Sequence, residues 1–261
     1  MKNALLKIIF IVFIFFAGVM NTSASAPATK KAIEYKVPIL VYHSFGPMVN
    51  SKESKMTTHY RVTEKNFEEQ MKYLSDNNYH PISFSAYVDS INNKTKLPDK
   101  AIVLTFDDGW KTQYTYAVPI LEKYKFTATF FIVTSYVNGN YKAYMTWDNL
   151  KDLVKNGFDI ESHTNTHQML TKVNTKKLND ELFNSKKILE DKLGIKVKTI
   201  AYPNYMQNAT VRNAVKSAGY IGARAGWGNF KNSLDHIYEI TSQEVVSNPN
   251  PFSSKRLPDL P

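Results

Sequence analysis

The stretch Ala101-Ile102-Val103-Leu104-Thr105-Phe106-Asp107-Asp108-Gly109 constrains this chain more than any other. Six apolar or β-branched residues run without alternation into two adjacent carboxylates and a glycine. Such a run reads as a strand covered on both faces, as in a parallel sheet flanked by helices. Ligand sites in folds of this class lie beyond the carboxyl ends of the strands, where Asp107 and Asp108 stand. Neighbouring side chains on an extended strand point opposite ways, so the pair serves one ligand only if the chain turns there, and Gly109 permits that turn. Adjacent carboxylates repel, and a cation or a proton between them relieves the repulsion. The plain alternative is an Asp-Gly turn with solvated acids.

The rest of the chain repeats the theme. Residues 37–45 are a second apolar strand with His43 toward its carboxyl end, and 127–134, 158–161, 197–202, 220–223 and 237–240 read as further strands. Helices alternate with them. Thr63 caps a helix with Val62 and Phe67 as a hydrophobic staple, a shorter one covers 85–92, and 114–124 is helical in pattern. Thr146 caps another, closed by Gly157; Leu178, Leu182, Leu189 and Leu193 mark a long one stopped by Gly194; Asn208 caps the last. Strand and helix alternate with no repeat and no second domain, which predicts one α/β domain over residues 37–246, barrel-like in architecture. Pro249, Pro251, Pro258 and Pro261 make 247–261 an irregular tail.

The N-terminus is of another kind. Lys2 and Lys7 precede an apolar run over 8–19, and Ala24-Ser25-Ala26 supplies small residues for cleavage. Residues 1–26 therefore read as a secretory signal, with an uncleaved anchor as the alternative, and 27–36 as a linker. The expected location is secreted and extracellular, with association to the cell envelope. The chain has no cysteine, which excludes a disulfide framework and a lipid-attachment thiol. Its formal charge is +10, and loss of residues 1–26 with their two lysines leaves +8. That excess favours an anionic wall or membrane surface; no basic cluster is dense enough to argue for nucleic acid.

Chemistry converges on the strand ends. Ser162-His163-Thr164-Asn165-Thr166-His167 follows the 158–161 strand, and two histidines four apart can aim both imidazoles at one ion. His-x-x-x-His alone is a weak signal. Joined by a carboxylate from another strand end it becomes a three-ligand site with open positions, the arrangement of a catalytic metal. Zinc is the default for that ligand set, with cobalt, nickel and manganese as alternatives, and the second aspartate stays free to accept a proton. Trp227, Tyr205 and Trp110 are candidates for the flat aromatic surface on which a sugar ring packs.

These motifs resemble the polysaccharide deacetylases, carbohydrate esterase family four with its NodB-homology domain. Thr105-Phe106-Asp107-Asp108-Gly109 matches the family's first motif and Ser162-His163-Thr164-x-x-His167 its second. The resemblance spans about 37–240, with the NodB-homology core from about 101. The Tyr42-His43 strand ahead of the acid pair looks like the subgroup acting on poly-N-acetylglucosamine. It implies a distorted (β/α) barrel, a divalent metal held by Asp108, His163 and His167, and Asp107 as general base. It also implies an oxyanion donor at the backbone N–H of Asn204 and His43 as general acid, with His236 in Leu234-Asp235-His236 as second candidate. The implied partner is an N-acetylglucosamine polysaccharide, and a monomer is the expected state. Rival readings are a peptidoglycan N- or O-deacetylase, or a weakly active wall-binding protein. The sequence departs from the family at the third motif, Ala201-Tyr202-Pro203-Asn204-Tyr205, where no arginine stands ready to orient Asp107. Arg224 on the next strand is a candidate to supply one, with a surface arginine as the plainer and favoured reading.

Overall fold

The computed structural model describes residues 35–47, 59–227 and 231–246, the side chains of Trp227 and Lys231 excepted. The signal segment expected over 1–26, the tail over 247–261 and most of the linker lie outside the described residues. The last two linker residues, Tyr35–Lys36, form a short strand antiparallel to Lys231–Asn232.

Seven strands make a closed parallel ring: β1 (Ile39–Tyr42), β2 (Ala101–Phe106), β3 (Thr129–Ile132), β4 (Asp159–Ser162), β5 (Thr199–Ala201), β6 (Gly222–Trp227) and β7 (Ile240–Glu244). Each lies beside its neighbours in chain order, and β7 returns to β1 with Gln243 opposite Leu40. The barrel is distorted at β4 and β5, whose pairing is confined to Ser162 opposite Ile200. An extra strand, His80–Ile82, takes the first half of the β2 edge whose second half carries β3.

Among the described residues the connections supply seven helices: α1 (Glu64–Asp76), α2 (Phe84–Asn93), α3 (Val118–Tyr124), α4 (Thr134–Asn138), α5 (Trp147–Lys155), α6 (Thr175–Leu193) and α7 (Ala209–Ser217). The strands are mostly buried, and their alternate positions serve two different cores. Ile102, Leu104, Phe106, Phe130, Ile160 and Ile200 face outward into one buried cluster with the helices. Ile39, Ala101, Val103, Phe131, Ala201 and Ile240 face inward, where α2 inserts Phe84, Tyr87, Val88 and Ile91. The period of two in side-chain direction therefore carries Asp107 and Arg224 into the barrel, in phase with Val103 and Gly222.

Two expected elements differ in detail. The strand over 37–45 breaks after Tyr42, and Ser44–Phe45 pairs instead with Arg61–Val62, leaving His43 at the break. The helix over 114–124 opens with a wide turn at Gln113–Ala117 before α3, because Pro119 has no N–H to give to the preceding turn.

Local capping holds the frame. Thr146 accepts the Asn149 N–H while the Asn149 side chain accepts from Thr146 N, a reciprocal box at the start of α5. Thr146→Ala is expected to cost about 1 kcal/mol, read as a melting-temperature drop of about 2–4 °C. An unchanged melting temperature would show that water replaces the cap at no cost.

Candidate active site

The acid pair turns where the sequence allows, though one residue earlier than the glycine. Asp108 itself adopts φ +73° and Gly109 follows at φ +78°, which bends the chain as it leaves β2. Asp108 Oδ2 accepts the Trp110 indole N–H at 2.9 Å, leaving Oδ1 for the histidines.

The histidine segment after β4 is a loop, not a helical turn, and its small polar residues shape it. Ser162 Oγ accepts the Thr164 N–H, Thr164 Oγ1 accepts the His167 N–H, and both the N–H and hydroxyl of Thr166 go to the buried Glu181 carboxylate on α6. Thr164 at φ +68° and His167 at φ +58° are held in left-handed conformations that these bonds sustain.

The consequence is a cluster of three donors. His163 Nε2 and His167 Nε2 lie 3.5 and 3.4 Å from Asp108 Oδ1, and the three atoms fall within 4.8 Å of one another. His163 Nδ1 is 2.9 Å from the Ala201 carbonyl, so the proton belongs on Nδ1 and the Nε2 lone pair faces the cluster. Burial pushes His163 down to about 4, which keeps it neutral near pH 7 and fit to ligate. Lone pairs converging with a carboxylate are mutually unfavourable until a cation sits among them, so this donor set fits a divalent ion.

Asp107 stands apart from that cluster. Its Oδ2 accepts from Arg224 Nη2 at 2.5 Å and lies 3.9 Å from both His163 Nε2 and His43 Nε2, while Oδ1 is buried without a hydrogen-bond partner among the described residues. Burial alone would raise the carboxyl; Arg224, aided by His163 and His43, reverses this and holds it below the usual aspartate range.

Arg224 corrects the surface reading. It is fully buried, with its guanidinium between the Phe131 and Tyr205 rings at 5.1 and 5.6 Å, and it reaches Ser242 Oγ as well as Asp107. β6 aims it inward from beside small residues, so an arginine from the next strand meets the acid that the third motif leaves without one. Of the two departures behind the weakly active reading, Ala201 and Asn204, this supplies what the first lacks.

His43 Nδ1 lies 3.6 Å from Glu244 Oε1, and its ring packs 5.1 Å from Tyr60. Gln113, wholly buried, donates from one amide nitrogen to the backbone carbonyls of His43 and Asp107, tying the two strand ends together. Asn204 at φ +53° and Tyr205 at φ +60° turn the chain after β5, and the Tyr205 hydroxyl donates to Glu244 at 2.7 Å. All these groups except Gln113 and Arg224 line one cavity of about 310 Å³, together with Trp110. His236 does not reach it. That ring is exposed, held 2.6 Å from Glu239, and lines a separate groove beyond Tyr205. Trp227 closes β6, but its side chain lies outside the described residues.

Gln113, Glu244 and Tyr60 are additions that the sequence reading lacks. Glu244 escapes because the last strand is expected to end at 240 and runs to 244; a strand-end acid there would draw the same attention as Asp107.

Comparison with known proteins places this geometry. The polysaccharide deacetylase family model matches residues 94–223, from the approach to β2 into β6. The poly-beta-1,6-N-acetyl-D-glucosamine N-deacetylase of Staphylococcus aureus strain MRSA252 is 32% identical over 216 residues, 78% of this chain and 69% of that one. Among solved structures, the Streptococcus pyogenes deacetylase PplD in complex with acetate superposes with a TM-score of 0.76 at 25% identity, covering 83% of this chain and 94% of that one. A polysaccharide deacetylase from Bacillus cereus superposes at 0.71 with 29% identity, covering 83% and 66%. On the extent of that sequence match, and with the barrel shared, this chain belongs to the polysaccharide deacetylase family.

Proposed function

We propose that this protein is a secreted, metal-dependent N-deacetylase that hydrolyses the acetamide of N-acetylglucosamine residues in an extracellular polymer, poly-N-acetylglucosamine before peptidoglycan. One observation carries the reading: the Asp108, His163 and His167 donors share a cavity with an unligated acid on one side and an imidazole on the other. The substrate class follows the relative named for poly-beta-1,6-N-acetyl-D-glucosamine. The Streptococcus pyogenes deacetylase is a complex with acetate, the acid that such a reaction frees.

Asp108, His163 and His167 would hold the ion, zinc by ligand type, which supplies Lewis-acid polarisation of the acetamide and a water of lowered pKa. Asp107 takes the proton of the attacking water at Oδ1, the oxygen that Arg224 leaves free. Arg224 keeps that carboxylate ionised and fixed in direction. His43 gives a proton to the departing amine nitrogen, with Glu244 Oε1 3.6 Å from its Nδ1. The Asn204 backbone N–H serves the developing oxyanion, a contribution of roughly 3 kcal/mol for such donors. Tyr205 walls the acetyl and sugar side. At the opposite end of the barrel, where β1 and β2 begin, Lys36, Lys94, Lys96 and Lys100 line a groove of about 490 Å³. That groove supports association with an anionic wall or membrane while the cavity faces away from it.

Acetate release from poly-β-1,6-N-acetylglucosamine and from peptidoglycan strands, before and after chelation, tests the proposal. Release from the first, abolished by chelation and restored by Zn²⁺, is expected. Metal-loaded protein that frees no acetate from either polymer would overturn it.

A further inference from the structure

The geometry points to a subsite for the sugar next to the one being deacetylated, an aromatic ridge running outward from His167; this rests on the glycan reading of the active site. Trp110, which lines the reacting cavity, stacks on Tyr144 with centroids 4.6 Å apart and planes 26° from parallel. Tyr144 meets Tyr136 at 4.3 Å, and Tyr136 lies 6.4 Å from the His167 ring. Tyr141, three residues before Tyr144, is 59% exposed, its ring laid so closely over Gly139 that a Cβ there would meet it at 2.5 Å.

The ridge is fastened to the catalytic turn. Trp110 and Tyr144 pair across an antiparallel bridge, the Met145 N–H donates to the Gly109 carbonyl at 2.9 Å, and the Lys111 N–H donates to Ala143 O at 2.9 Å. The rings therefore keep a fixed distance from Asp108 without relying on a mobile loop.

Two contrasts separate these rings from ordinary core. Phe106, Phe130 and Tyr42 stack in the interior with no exposure, whereas all four ridge rings keep some of their surface in water. Next, Tyr136, Tyr141 and Tyr144 stand outside the 310 Å³ cavity, so they cannot touch the reacting acetamide and would meet whatever projects from it. A polymer must leave the cavity along some path, and a pyranose offers a C–H face that packs on an aromatic face while its hydroxyls reach the phenol rims. The occupant this surface suits is a neutral N-acetylhexosamine unit flanking the target residue.

The test compares acetate release from β-1,6-linked N-acetylglucosamine oligomers of two to six units by wild type, Tyr141→Ser, Tyr144→Leu and the control Phe183→Ser. Phe183 is an exposed ring on α6. In wild type and the control, kcat/KM is expected to climb with length. Each ridge variant should lose about tenfold of that climb through KM, with the pH profile unmoved. The same length dependence in Tyr141→Ser and Tyr144→Leu as in wild type would overturn the ridge while leaving the deacetylase reading intact. Wild-type protein that hydrolyses a small aryl acetate but no oligomer would sink both.

Discussion

Asp107→Asn is expected to cut acetate release by about 10³-fold or more while metal content stays at the wild-type level, the upper range of what a positioned base contributes. The reason is geometric. Asparagine keeps the shape of aspartate and an oxygen for the Arg224 fork, but it offers no site that can take a proton. The ion is held by other groups, since Asp107 Oδ2 is 3.9 Å from His163 Nε2 while Asp108 Oδ1 is 3.4–3.5 Å from both imidazoles. His43→Ala should act in the same direction with less force, about 10²-fold, and also without metal loss. His167→Ala should lose metal and activity together. Metal analysis beside acetate release separates the three roles. An Asp107→Asn protein that loses its metal, or keeps activity within tenfold of wild type, would reverse the assignment of the two aspartates.

The sequence exposes the parts of this site that are local and hides those that join distant strands. The unbroken apolar run into Asp107 announces a buried parallel strand, and the rule that ligands gather at strand ends makes Asp107, Asp108, His163 and His43 legible as neighbours. The caps at Thr63, Thr146, Asn174 and Asn208 all accept from the N–H three residues on, because that signal needs only one turn of chain; Asn174 alone is absent from the sequence reading. Arg224 is the opposite case. It lies 117 residues from Asp107, and a lone arginine in Gly-Ala-Arg-Ala-Gly carries no mark of burial except its phase with Gly222, whose missing side chain makes room against Val88. His236 misleads for a related reason: a leucine-x-histidine pattern fixes no position in space, and Glu239 three residues on captures the ring. Gln113 illustrates a third limit, since a glutamine bridging two backbone carbonyls has no sequence signature at all.

Arg224→Met should be the most destabilising of these substitutions, by about 3–5 kcal/mol, because it strands a buried carboxylate instead of removing a surface pair. In a protein of this size that is a fall of roughly 10 °C in melting temperature. The pH dependence gives the cause away. With Arg224 present the folded Asp107 carboxyl lies below its unfolded value, so its stabilisation is complete above about pH 4 and fades as pH falls through the folded value. The gap between wild type and Arg224→Met should therefore be widest near neutrality and narrow in acid. Without the guanidinium, burial dominates and pushes the carboxyl up, so the acid limb of the rate profile should move to higher pH. Arg224→Lys keeps the charge but not the fork that spans Asp107 and Ser242, and it should recover part of the stability and less of the rate. Loss of stability with an unmoved acid limb would mean that Arg224 supports the barrel alone and that Asp107 is kept ionised by the imidazoles.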